Sequence, residues 1–225
     1  MSRTVMPRAR QTRRSEIAIA LLFWVTAAGA IVGAALLAPV FADPMDLSRI
    51  AAARGTIATC AALWTLNNVG FVFIALFAWP VLVPVAPFAA RAYLTTRVIE
   101  SGVMMLGVMA LLTIPGRAAA GDGAGVALLH AVSDVSLDAG MLPLLGFSGL
   151  FLTTPLLRHR LLPGWLAGLG LVAYALVLAA GLMAWAGWIG IGTGDAGFLL
   201  VVPVALWEIV LMPVWLLWKG FSVPA

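Results

Sequence analysis

The stretch TIATCAALWTLNNVGFVFIALFAW, residues 56–79, decides the fold. It contains no charged side chain. At 1.5 Å per residue, a helix of about 24 residues rises about 36 Å, more than the roughly 30 Å of bilayer hydrocarbon. It lacks the period-2 alternation of a barrel strand, and only helices or closed barrels satisfy every backbone group in lipid. A transmembrane helix is therefore predicted. Its midpoint holds two amides, Asn67 and Asn68, which lipid alone does not explain.

Five further runs of this kind lie on either side. The six spans are read at 17–41, 56–79, 92–114, 125–157, 165–191 and 198–218. The composition agrees: of 225 residues, 63% are hydrophobic and 10% charged. Soluble domains are nearer 45–50% apolar and about a quarter charged. The fold class is all-α, a polytopic six-helix transmembrane bundle. Residues 1–16 read as a basic tail, 17–220 as one membrane domain and 221–225 as a short second tail. The 25-residue first run exceeds the usual core of a cleaved signal peptide, so span one is expected to be retained despite VFADP at 40–44.

The net charge of +4 does not indicate nucleic acid. Arg3, Arg8, Arg10, Arg13 and Arg14 precede the first span, where a cytoplasmic flank is basic. With the N-terminus inside, Arg91, Arg97, Arg158, Arg160 and Lys219 join them, making ten basic residues. The outer segments keep three: Arg49, Arg54 and Arg117. Both termini are thus expected in the cytoplasm, in the cytoplasmic membrane of a bacterium. Arg8, Arg10, Arg13 and Arg14 are expected to meet lipid headgroups, at about 1 kcal/mol each.

The loops are short, and no extramembrane segment is long enough to fold alone. GRAAAGDGAG and GIGTGDAG read as glycine-rich turns; the second has neither the strand nor the lysine of a phosphate cradle. Prolines 143, 203 and 213 each remove a helical hydrogen bond and are expected to kink spans four and six. Tryptophans 79, 165, 188, 215 and 218 stand near span ends as interfacial anchors. The single cysteine, Cys60, reads as a small buried hydrophobe. Any activity must lie in the helices or their mouths.

The helices carry a polar layer. HAVSDVSLD, residues 130–138, stacks His130, Asp134 and Asp138 four residues apart on one face. If span four enters lipid at Gly125, Asp134 is about 14 Å deep and Asp138 about 20 Å. Span three carries Arg97 and Glu100 at i, i+3, and span six carries Glu208 near its centre. An ionised acid at a helix centre costs about 2.5–3.5 kcal/mol, so four facing lipid separately would cost on the order of 10 kcal/mol. Convergence is cheaper. A buried cluster of Asn67, Asn68, Arg97, Glu100, Asp134, Asp138 and Glu208 is expected, with His130 at its outer rim. The carboxylates outnumber the cations, so some must hold protons or bind a cation. The plainer alternative is that these groups hydrogen-bond helix to helix, at roughly 0.6–2 kcal/mol each.

No metal, haem or other cofactor is implied. There is no H-E-x-x-H, His159 lies in the loop segment RHR, and no serine sits in a nucleophile elbow. The order of motifs resembles domain-of-unknown-function family 4386, bacterial six-helix integral membrane proteins. The likeness runs from about Ser15 and is carried by RVIE (Arg97, Glu100), LPGWL (162–166) and WEIVLMPVWLLWKGF (Glu208, Lys219, Gly220). Where the family pattern implies a histidine near the start of span four, this chain has Asp134. The resemblance implies the topology and a polar layer, and no activity or substrate. Three function classes follow. The first is a proton- or cation-coupled carrier of a small solute. The second is a structural or regulatory membrane subunit, self-associating or bound to a partner. The third is an intramembrane metal-dependent lipid hydrolase.

Overall fold

The computed structural model describes residues 8–192 and 195–222, excepting the side chains of residues 8–11, 138 and 139. The described residues are helical wherever they are regular, and six helical stretches are long and apolar enough to cross a membrane. Span one is α1 (Arg8–Leu37), whose apolar part runs from Thr12. A short helix, α2 (Leu47–Ala52), precedes span two, α3 (Arg54–Leu82). Span three is α4 (Pro87–Ala119). Span four joins α5 (Gly123–Asp134), a π-helical turn (Val135–Ala139) and α6 (Met141–Arg158). Span five is α7 (Gly164–Trp185). Span six joins α8 (Phe198–Leu206), a second π-helical turn (Trp207–Leu211) and α9 (Met212–Trp218).

Several ends differ from the sequence expectation. The first helix starts at Arg8, inside the segment read as a tail, and ends at Leu37 instead of residue 41. Span three begins at Pro87, because a proline with no N–H to leave unpaired suits the first helical turn. Span five stops at Trp185, where Gly187 at φ +71° reverses the chain. The small helix α2 was not foreseen. Asp46 starts it by accepting the Arg49 backbone N–H at 3.0 Å. That bond, with one from the Ser48 hydroxyl, holds the Asp46 carboxyl below its ordinary range.

The spans form a ring in which α1 packs on α3, α3 on α4, α4 on α5 and α6, α6 on α7, and α7 on α8, while α9 returns to α1. Both termini therefore lie at one end of the bundle, here the terminal face; the other end is the loop face. The main core runs through the centre and includes Phe23, Ile74, Leu145, Leu166, Val177 and Leu216. A second apolar cluster, Val40, Ile50, Ile57, Leu111, Ile114, Ala118 and Val126, lies toward the loop face under α2. Large side chains on the outside are apolar, including Ile31, Leu106, Met109, Leu128 and Leu199. An exposed surface of that kind is a lipid-facing one.

At the terminal face the chain ends are tied together. Arg13 donates from Nη1 to the Leu216 carbonyl at 2.7 Å and from Nη2 to the Leu217 carbonyl. It thereby covers carbonyls that the end of α9 would leave unpaired. Glu16 is buried and accepts the Phe221 backbone N–H at 2.7 Å. Lys219 lies over the rings of Trp215 and Trp218, at 4.9 and 4.5 Å.

Candidate functional site

The site is built around Arg97, which is fully buried in the middle of four spans. Glu100 follows it by three residues on α4, so the two side chains share a face. Arg97 Nη1 donates to both Glu100 oxygens, at 3.0 and 3.1 Å. The Ser148 hydroxyl of α6 donates to Glu100 Oε2 at 3.3 Å. On the other side, Arg97 Nη2 meets Glu208 Oε1 at 3.4 Å. The Tyr174 hydroxyl of α7 donates to the same Glu208 oxygen at 2.5 Å. The guanidinium also lies over the rings of Phe71 and Tyr93, at 4.6 and 5.4 Å. Two carboxylates thus face one guanidinium away from water. If both were ionised, the group would carry one uncompensated negative charge, so it calls for one proton or one added cation.

Local backbone features put these groups in place. Tyr174 reaches Glu208 because its ring lies directly on Gly149, where any Cβ would collide with it. Trp207 lies against Gly170 in the same way and donates from its indole to the Leu166 carbonyl at 2.9 Å. The next residue, Glu208, belongs to the π-helical turn. Such turns are rare and recur where a helix must re-aim side chains. Pro213, one turn on, has no N–H for the carbonyl of Ile209. Trp24 of α1 supplies the missing donor: its indole N–H reaches the Ile209 oxygen at 2.8 Å.

Beside this cluster lies a cavity of about 320 Å³ between α1, α3, span four and α8. Its wall toward the loop face is apolar, with Ala30, Ala34, Trp64 and Val201. Near mid-span it meets Phe23, Phe71, Thr26, Asn67 and Glu208. Both π-helical turns border it, one through Leu137 and the other through Glu208 and Ile209. Among the described side chains, Glu208 is the one ionisable group in the lining, and it is also the member of the Arg97 cluster that the cavity reaches.

A family model described as Domain of unknown function (DUF4386) matches residues 17–220. The chain belongs to this family. No curated protein and no solved structure matches it.

In this DUF4386 chain the structure brings together Arg97, Glu100 and Glu208, three of the residues singled out by sequence. Asn67 and Asn68 are buried beside them on α3. Asn67 lines the cavity and donates to Asn68 at 3.4 Å, and Asn68 Nδ2 lies 3.6 Å from the Met105 sulfur. Asp134 does not join the cluster. Its side chain is 57% exposed and bonds His130 Nδ1 at 2.9 Å. No other span covers the carboxylate: the face of α5 that carries Asp134 is turned away from the Arg97 group. His130 is at the outer rim, its ring 4.2 Å from that of Phe41. Asp138 lies in the first π-helical turn, and its side chain is outside the described residues.

Of the four arginines expected at headgroups, Arg13 is bonded to the α9 carbonyls with its side chain 44% exposed, and Arg14 is exposed. The Arg8 and Arg10 side chains lie outside the described residues. Among the described residues, no three His, Cys, Asp or Glu side chains gather as metal ligands would. Sequence reasoning missed Ser148, Tyr174, Tyr93 and Trp24. One signal was available: the chain has only two tyrosines, and both stand at Arg97.

Proposed function

We propose that this protein is a carrier in the bacterial cytoplasmic membrane, with both termini cytoplasmic, that couples a proton or cation to movement of a small solute. One observation carries the reading. Glu208 lines the cavity and, on the same side chain, bonds Arg97 within a group holding two acids and one base. A proton or cation at Glu208 and a solute in the cavity therefore act on the same carboxylate. Whatever one does to the other's affinity, the reverse holds by the same factor, which is the requirement for coupling. The basic residues around the terminal face support the orientation.

A second reading, a structural or regulatory subunit, draws on Glu100. That carboxylate is buried, held by Arg97 and Ser148, and is not in the lining of that cavity, as a helix-binding acid would be. The two readings divide at Glu208. Proteoliposomes carrying an internal pH dye should show proton movement on addition of solutes from a panel of small amphiphiles. Glu208→Gln should abolish it while the purified variant keeps the wild-type elution profile and melting transition. Proton movement that survives the substitution would overturn the carrier reading. So would a silent wild type together with a Glu208→Gln variant that merely unfolds, and the subunit reading would then stand.

A further inference from the structure

We infer that the cavity binds a lipophilic monocation, one positive charge on an aromatic or alkyl body, which enters sideways from the bilayer between α1 and α8. The inference rests on the carrier reading for its site and goes further by naming the ligand class.

Size comes first. A cavity of about 320 Å³ is at the small end of the roughly 300–1,000 Å³ of small-molecule sites. Polarity is next. Among the described side chains lining it, all but Thr26, Asn67, Glu208 and the indole N–H of Trp64 are apolar. The Trp64 N–H is already given to the Ala30 carbonyl at 3.3 Å. A strongly hydrated solute would lose its water here and find few partners in return. A body of rings or alkyl groups loses nothing by the exchange.

Charge completes the argument. Arg97 stands behind Glu208, fully buried, and is absent from the lining. The cavity is therefore met by the acid and not by the base. The Arg97–Glu100–Glu208 group lacks one positive charge, and a monocation supplies it. The rings of Phe23 and Trp64 are in the lining, and an aromatic ring attracts a cation that reaches its face. An anion would meet the carboxylate with no accessible countercharge.

The route follows from how α1 is held. The bonds that join it to the last span run from Arg13 through Glu16 to Trp24, from the terminal face to mid-span. The α1 residues that line the cavity continue beyond that point, through Ala30, Ile31 and Ala34. Across from them stand Val201 and Ala205 of α8. The helices are thus fastened below the cavity and part around it, and the lipophilic ligand arrives from the membrane.

The test uses two probes of matched size and opposite charge, tetraphenylphosphonium and tetraphenylborate. Full-length protein in lipid nanodiscs is dialysed to equilibrium against each, with empty nanodiscs subtracted. The phosphonium should bind saturably and release one proton per ligand from the unliganded protein. The borate should show no saturable binding. Glu208→Gln should weaken phosphonium binding about tenfold or more. Ala205→Phe fills the cavity from a wall that touches neither Arg97 nor Tyr174, and should also abolish binding. Should the Gln variant fail to assemble, Ala205→Phe decides alone. Equal or tighter borate binding, or phosphonium binding unchanged by Ala205→Phe, overturns the inference. Binding without pH-driven phosphonium movement in proteoliposomes overturns the carrier reading and leaves the ligand class standing.

Discussion

Two sets of acids in this chain have opposite fates. Glu100 and Glu208 lie at the centre of the bundle around a buried arginine. Asp134 sits on α5 with an exposed carboxylate and a histidine one turn away. Both sets contain an acid with a basic side chain at i, i+3 or i, i+4 on the same helix. What separates them is the company from other helices. The central pair is met by Ser148, Tyr174 and Phe71 from three other spans, with Tyr93 of its own helix also under the guanidinium. The Asp134 pair has Phe41 beside its histidine and exposure around its carboxylate. Spacing on one helix shows that two groups can meet, and the neighbouring helices decide whether the meeting is buried.

The largest expected effect comes from removing the central base. Arg97→Ala leaves two acids facing each other without a cation and should cost about 3–5 kcal/mol, read as a collapse of the melting transition in detergent. A variant as stable as wild type would erase the contrast between the two regions. Next is Tyr174→Phe, which deletes a hydrogen bond to a carboxylate and should cost about 1.5–3 kcal/mol in the same measurement. Gly149→Ala sharpens the point: it should mimic Tyr174→Phe, since the added methyl must displace the Tyr174 ring. Trp24→Phe removes the donor to Ile209 and should cost about 1 kcal/mol, because the carbonyl orphaned by Pro213 loses its partner. The smallest change belongs to the other region. Asp134→Asn should shift stability by less than about 0.5 kcal/mol, as exposed pairs do. A loss on the scale of Arg97→Ala would show that Asp134 belongs with the central group after all.

The parts of this picture legible in the sequence were those with a high cost in lipid. Six apolar runs, the Arg97–Glu100 pair and the mid-span Glu208 stand out because each would be expensive in any other arrangement. Tyr174 and Ser148 did not stand out, since a hydroxyl in a helix has many cheap solutions. The role of Trp24 was hidden for a different reason. Pro213 announced a missing hydrogen bond, but the helix that fills it depends on how spans one and six pack. The two π-helical turns have no composition of their own. Asp134 was misplaced because spacing along one helix does not say which of its faces the other spans cover.

The most direct measurement is the infrared absorption of protonated carboxyl groups, taken in lipid nanodiscs at neutral pH with no lipophilic cation present. The wild type should show one buried, slowly exchanging carboxylic acid, the proton that balances Arg97 against Glu100 and Glu208. Glu208→Gln should lack it, because one base and one acid remain and need no proton. A wild type with no such band, or a band of equal strength in Glu208→Gln, would contradict the charge balance on which the proposed coupling depends.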